Sequence, residues 1–266
     1  MSFAISSLQN PRLKELRVLM EKSKERRSTG LFVIDGWKEI LMAVEAGYMI
    51  RQLYVREGAI SKEEIDKTWS SNRPENVEVA KDAFDKLSYR GLTTKAIAVA
   101  ESKVYSLSNL KLSKTPTVLV LDAVEKPGNL GAIIRTADAT AIDAVICCDT
   151  ATDIYNSNVI RSSVGCVFSV PIAVASREVA IDWLNANKIN IYTASLKASV
   201  VYTEVDFRVP TAFVLGTEAS GVHPIWEEIS QQNIILPMLG KNDSLNVSNT
   251  AAVLLYESLR QRSLIK

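Results

Sequence analysis

The chain has 266 residues, 47% of them hydrophobic, and a formal net charge of only +1. That length suggests one or two domains and that apolar content supplies real cores, which excludes a disordered chain; the near-neutral balance excludes a protein that holds nucleic acid by bulk charge alone. Three cysteines, Cys147, Cys148 and Cys166, are odd in number and contain no CxxC pair, so neither a disulfide framework nor a metal site is expected. Nothing resembles a signal peptide, and no apolar run nears the ~20 residues that span a bilayer, so a cytoplasmic setting without a membrane partner is expected.

Charge is uneven along the chain. Residues 1–30 carry seven Lys/Arg against three Glu, a local excess of four positive charges. Leu8, Leu13, Leu16, Leu19 and Met20 recur at helical spacing there, which predicts one helix over 7–27, with Asn10–Pro11 suited to its start. Leu31–Ile34 reads as a strand. Asp35–Gly36 leads into a helix from Trp37 to about Ala46, with Gly47 as its C-terminal stop. A strand over Ile50–Val55, a helix capped by Ser61, and short strands at 77–79 and 96–99 around a helix at 81–88 complete a small α/β domain.

Residues 102–116 hold four Ser and three Lys without helical period. We place an N-terminal domain at 1–104, a linker at 105–116 and a C-terminal domain at 117–266. The second domain opens on Thr117–Leu121, a run that reads as buried on both faces. A helix from Asn129 to about Ala141 follows. Strands are expected at 144–148, 170–174, 189–194, 211–215 and 233–236. Between and after them, helices are expected within 153–163, over 177–186, from His223–Pro224, and over 246–262. This alternation predicts a mostly parallel sheet with helices on both faces, and such sheets bind ligands beyond the carboxyl ends of their strands.

Three loops then share one rim. In the first, Asn129 can cap the following helix, Gly131 allows close approach, and Arg135 lies under two turns away, within reach of a phosphate near the helix N-terminus. In the second, Gly216 and Gly221 frame Glu218. In the third, Pro237 ends a strand, Gly240 permits a turn, and Ser244, Asn246 and Ser248 stand where the last helix begins. Each loop alone is also what an ordinary strand–turn–helix looks like. Their combination and order is specific.

The combination resembles the SpoU/TrmH family of RNA 2'-O-ribose methyltransferases, within the SPOUT superfamily, over essentially the whole chain. The first motif is similar to Asn129-x-Gly131-x-x-x-Arg135-Thr136, the second to Leu215-Gly216-x-Glu218-x-x-Gly221, and the third to Pro237-Met238-x-Gly240 with Ser244–Ser248. Asp153–Asn156 and Val159-Ile160-Arg161-x-Ser163-x-Gly165 also look like the family. The N-terminal half, with Asn10–Pro11 and Phe32–Gly36, resembles the substrate-binding domain of two-domain members, which is related to a ribosomal RNA-binding protein fold. Lys126, Ala141 and Asp35 depart from the residues usual at their positions.

The resemblance implies a trefoil knot in the C-terminal domain, a homodimer with the active site at the subunit contact, and S-adenosylmethionine as methyl donor without a metal. It implies donor binding by Gly216, Leu236 and Leu245, catalysis by Arg135, and support from Asn129, Glu218, Ser244 and Asn246. Arg135 then either accepts the proton of the ribose hydroxyl, with its pKa lowered, or orients the substrate while another group accepts it. RNA phosphates would meet Arg12, Lys14, Lys24, Arg26 and Arg27. Ribosomal RNA of the large subunit is the expected target, with transfer RNA as the alternative. A non-catalytic RNA-binding protein would lack Arg135, Ser244 or Asn246. A nucleotide-linked dehydrogenase would carry G-x-G-x-x-G after its first strand, which this chain does not. The three loops should meet at one cleft, with Arg135 facing it.

Overall fold

The computed structural model describes residues 4–88, 94–150, 152–198, 200–217 and 220–263. Its contacts divide the chain into two units: residues 1–104 with 153–169, and residues 105–152 with 170–266.

The first unit is built on a four-stranded mixed sheet of order β1-β4-β2-β3, formed by β1 (Leu31–Asp35), β2 (Ile50–Arg56), β3 (Glu75–Val79) and β4 (Ala96–Glu101). Helix α1 (Pro11–Glu21) starts as its sequence predicts: Pro11 occupies the first turn, and Asn10 accepts a hydrogen bond from the Arg12 backbone N–H at 3.0 Å. Its apolar stripe, Leu13, Leu16, Leu19 and Met20, packs on Val33, Tyr54, Phe84 and Ile97. The predicted single helix over 7–27 does not persist. Lys22 is extended (φ −108°, ψ 110°), and a separate α2 runs over Ser23–Thr29. Helices α3 (Trp37–Glu45), α4 (Lys62–Thr68) and α5 (Lys81–Leu87) follow, with Ser61 Oγ capping α4 at the Glu64 N–H.

Residues 153–169, expected within the C-terminal domain, pack in this first unit. They include α7 (Ser157–Ser162). Tyr155 stacks on Phe32 with ring centres 4.1 Å apart, and its hydroxyl accepts from the Lys103 N–H at 2.7 Å. Gly165 has φ +86°, which strains any side chain, and a Cβ there would also push on Met42 Sδ, 2.7 Å away.

The second unit carries a seven-stranded sheet of order β7-β6-β5-β10-β8-β11-β9, and each described pairing is parallel. Its strands are β5 (Thr117–Asp122), β6 (Ala144–Cys148), β7 (Ile172–Ala175), β8 (Asn190–Ala194), β9 (Val200–Val201), β10 (Thr211–Leu215) and β11 (Gln232–Ile235). The two-residue β9 has no counterpart in the predicted elements. Strands β5, β6 and β10 are buried along their whole length, as continuous apolar runs require when helices cover both faces. Val120, Ile146, Ile191, Val214 and Trp226 anchor one of the cores.

Helices α6 (Pro127–Ala139), α8 (Arg177–Ala186), α9 (Pro224–Ile229) and α10 (Val247–Ser263) complete the unit, with α10 packed along α6. The chain lays down β5, β6 and β7 outward on one side and then places β10 and β8 on the other side of β5. The order therefore reverses beside β5, where open α/β sheets bind ligands.

Candidate active site

Three connections leave the carboxyl ends of β5, β10 and β11, and each has its own local reason for its shape. After β10, the backbone folds back on itself. Thr217 N–H donates to the Gly221 carbonyl at 2.9 Å, and Gly221 N–H donates to the Thr217 carbonyl at 3.0 Å. A Cβ on Gly216 would sit 2.1 Å from the Gly221 carbonyl oxygen, so the position admits glycine alone. Glu218, assigned above to the supporting set, lies outside the described residues.

After β11, Asn246 starts helix α10. Its Oδ1 accepts from the Ser248 N–H at 2.9 Å and from Ser248 Oγ at 2.6 Å. Its Nδ2 donates to Asn129 Oδ1 at 3.3 Å. Asn129 is available for this because it does not cap α6: the helix begins two residues earlier, at Pro127, rather than at Asn129. Ser244 is exposed, and its Oγ donates to Asp243 Oδ1 at 3.0 Å.

A cavity of about 370 Å³ lies between the second and third loops. Gly216, Leu236, Ser244 and Leu245, all singled out in the sequence, line it together with Leu215 and Met238. Its far wall comes from residues that carried no sequence signal: Ser195, Lys197 and Glu227. Ser195 Oγ donates to Glu227 Oε1 at 2.5 Å, and Lys197 Nζ donates to Oε2 at 3.3 Å. The Ser195 hydrogen bond, with Lys197 adding to it, holds the Glu227 carboxyl below the usual carboxylate range.

The first loop is tied to the second as well as the third. Asp122, the last residue of β5, is 2% exposed. Its Oδ2 accepts from the His223 N–H at 2.7 Å, immediately beyond the cavity residues Gly221 and Val222. Arg177 holds the other oxygen through Nε at 3.0 Å and Nη2 at 2.9 Å, and its Nη1 lies 3.2 Å from Asp149. His223 is structural, as its place before Pro224 suggests: its Nδ1 accepts from the Ile225 N–H at 3.3 Å.

Arg135 does not face this cavity within one chain. It is exposed on α6 and is not among the lining residues. In the first unit, Lys14, Lys24 and Arg27 are exposed on α1 and α2, whereas Arg12 pairs with Glu75 at 2.6 Å. Arg26 is not available to a phosphate. It is 4% exposed, donates to the Leu19 and Met20 carbonyls at 2.7 and 3.1 Å, and pairs with Asp153 at 2.6 Å. Burial pushes the Cys147 thiol up to about 12, and the thiols of Cys147 and Cys148 are structural.

Comparison with known proteins places the chain in a family. A family model described as SpoU rRNA Methylase matches residues 116–256, and one described as an MRM3-like substrate binding domain matches residues 10–98. The chain is 29% identical to the 23S rRNA (guanosine(2553)-2'-O)-methyltransferase RlmP of Bacillus subtilis, over 95% of this chain and 97% of that one. It is 30% identical to a 23S rRNA (uridine(2479)-2'-O)-methyltransferase of Streptomyces viridochromogenes, over 95% and 91% of the two chains. Among solved structures, an AdoMet-bound rRNA methyltransferase from Sinorhizobium meliloti superposes with a TM-score of 0.88 at 28% identity, covering 97% of this chain and 98% of that one.

Proposed function

From the premise that the chain belongs to the SpoU rRNA methylase family, we propose the following reading of its site. The protein is an S-adenosylmethionine-dependent methyltransferase that modifies a ribose 2'-hydroxyl in large-subunit ribosomal RNA. One observation carries the assignment to this cavity: residues of the second and third motifs line it, and the Asn246–Asn129 hydrogen bond joins it to the first.

The cavity fits the donor by size and chemistry. Its volume of about 370 Å³ falls in the range of small-molecule sites. Leu215, Leu236, Met238 and Leu245 give apolar walls for a heteroaromatic ring, and the backbone at Gly216 supplies peptide edges. When bound, S-adenosylmethionine supplies an electrophilic methyl carbon on a sulfonium.

The remaining chemistry belongs to the chain. A ribose hydroxyl is a weak nucleophile at neutral pH, so it must be held near attack distance and its developing negative charge stabilised. Arg135 serves both needs. A guanidinium keeps its charge and binds a phosphate in a fixed fork, which places the neighbouring hydroxyl. Asn129 and Asn246 brace the start of α6, and with it Arg135. Ser244 adds a hydroxyl to the polar edge of the cavity, and Glu218 keeps the supporting role that the family resemblance implies.

Arg135 is outside the cavity of its own chain, which favours a homodimer in which the partner copy presents this arginine. The reading includes a trefoil-knotted C-terminal domain and a cytoplasmic location, and no helix among the described residues is long and apolar enough to cross a membrane. The N-terminal domain holds RNA through Lys14, Lys24 and Arg27, with Arg12 shared between Glu75 and phosphate.

Calorimetric titration with S-adenosylmethionine, with NAD as control, tests the reading. Saturable binding of the first and none of the second is expected. Absence of donor binding would overturn it.

A further inference from the structure

Among the described residues, three charged side chains line the cavity: Glu227, Asp243 and Lys197. Two carboxylates therefore stand against one ammonium. The ammonium is the least effective of the three, because the Lys197 side chain is 82% exposed and water screens it. Asp243 sits on an exposed loop. Glu227 is the carboxylate that the fold fixes. Its side chain is 21% exposed, Ser195 holds Oε1, and its backbone carbonyl accepts from Asn233 Nδ2 at 3.0 Å. Hydrogen bonds from Ser195 and Lys197 do not exhaust the carboxylate, whose two oxygens offer about four acceptor positions. Against the apolar walls of Leu215, Leu236 and Leu245, its charge acts through less water than on an open surface.

Methyl transfer changes the charge of what occupies the cavity. The ribose oxygen forms its bond to the methyl carbon, the carbon–sulfur bond breaks, and its electron pair returns to sulfur. The hydroxyl proton leaves to solvent. The donor is a sulfonium cation; the product left behind is an uncharged thioether of nearly the same shape. Apolar walls read both nearly alike, and peptide dipoles separate them less than a full charge does.

We propose that Glu227 makes the cavity charge-selective, binding the sulfonium donor in preference to the thioether product. The inference rests on the donor reading given above. It makes Glu227 a specificity-determining residue that keeps the site from filling with spent product.

The test is calorimetry on the full chain with S-adenosylmethionine and S-adenosylhomocysteine, for wild type, Glu227→Gln and Glu227→Asp. The Gln side chain still offers an oxygen to Ser195 but no charge. Donor Kd should rise about five- to tenfold in Glu227→Gln while product Kd stays within about twofold, and Glu227→Asp should retain the preference. In the wild type alone, which covers the case of a variant that fails to fold, added salt should weaken the donor more than the product. Parallel changes in both ligands, or none in either, would overturn the inference while the donor reading stands. A wild type that binds neither ligand would overturn both.

Discussion

Asn246 uses both ends of its side-chain amide: Oδ1 caps α10 at the Ser248 N–H, 2.9 Å away, while Nδ2 donates to Asn129 Oδ1 at 3.3 Å, across 117 residues of chain. The cap and the site are therefore one feature. Asn246→Ala should lose both, costing about 0.5–2 kcal/mol for the cap together with donor affinity. Asn129→Ala spares the cap and should cost about 1 kcal/mol or less, yet still lower turnover. Urea denaturation with initial rates separates the two. Equal stability losses would contradict the division of roles.

Arg135 is exposed and has no role in the core. Arg135→Ala should keep the melting temperature and bind donor within about twofold, while methyl transfer falls by about two to three orders of magnitude, the range for loss of a charge-stabilising donor. Arg135→Lys should recover little, because a point charge does not reproduce the planar fork. Near-normal turnover in the alanine variant would remove Arg135 from the mechanism.

The basic N-terminal residues divide into two kinds. Arg26 is buried against Asp153 and two carbonyls, so Arg26→Ala should destabilise the protein by about 3–5 kcal/mol. Lys24→Ala and Arg27→Ala should leave stability within about 0.5 kcal/mol but weaken RNA binding, each reducing the slope of log K against log salt by about 1. Filter binding over a salt series reads this directly. Unchanged slopes would move the RNA surface elsewhere.

Ala141 departs from the glycine usual in the family, and the structure shows what that position demands: its φ is +48°, in the left-handed region. Ala141→Gly should relieve that strain and stabilise the protein by up to about 1 kcal/mol, after allowing for the freer unfolded chain. A loss of stability in denaturant titration would show that the alanine methyl contributes packing that outweighs the strain.

Much of this was legible before the structure. Apolar runs such as Thr117–Leu121 and Ala144–Cys148 announce strands buried on both faces, and Ser61, Asn10 and Asn246 announce helix starts through local chemistry. The break at Lys22 was not legible, because residues on either side keep a helical pattern and the interruption serves Arg26. That residue turns back to the Leu19 and Met20 carbonyls at the end of α1. The return of residues 153–169 to the first unit depends on Tyr155 meeting Phe32, a pairing that no local spacing encodes.

The cavity divides in the same way. Gly216, Leu236 and Leu245 belong to motifs that can be read along the chain. Ser195, Lys197 and Glu227 reach the site because β8 lies between β10 and β11, and Asp122 meets Arg177 from 55 residues away. Strand order decides both, and strand order is not written in any one segment.

The most direct test of the account is methyl transfer itself. Purified protein, isotopically labelled S-adenosylmethionine and unmodified 23S rRNA should yield label in a ribose, recovered after alkaline hydrolysis as an alkali-resistant dinucleotide at one position. Label on a base, or no incorporation by a protein that binds the donor, would contradict it.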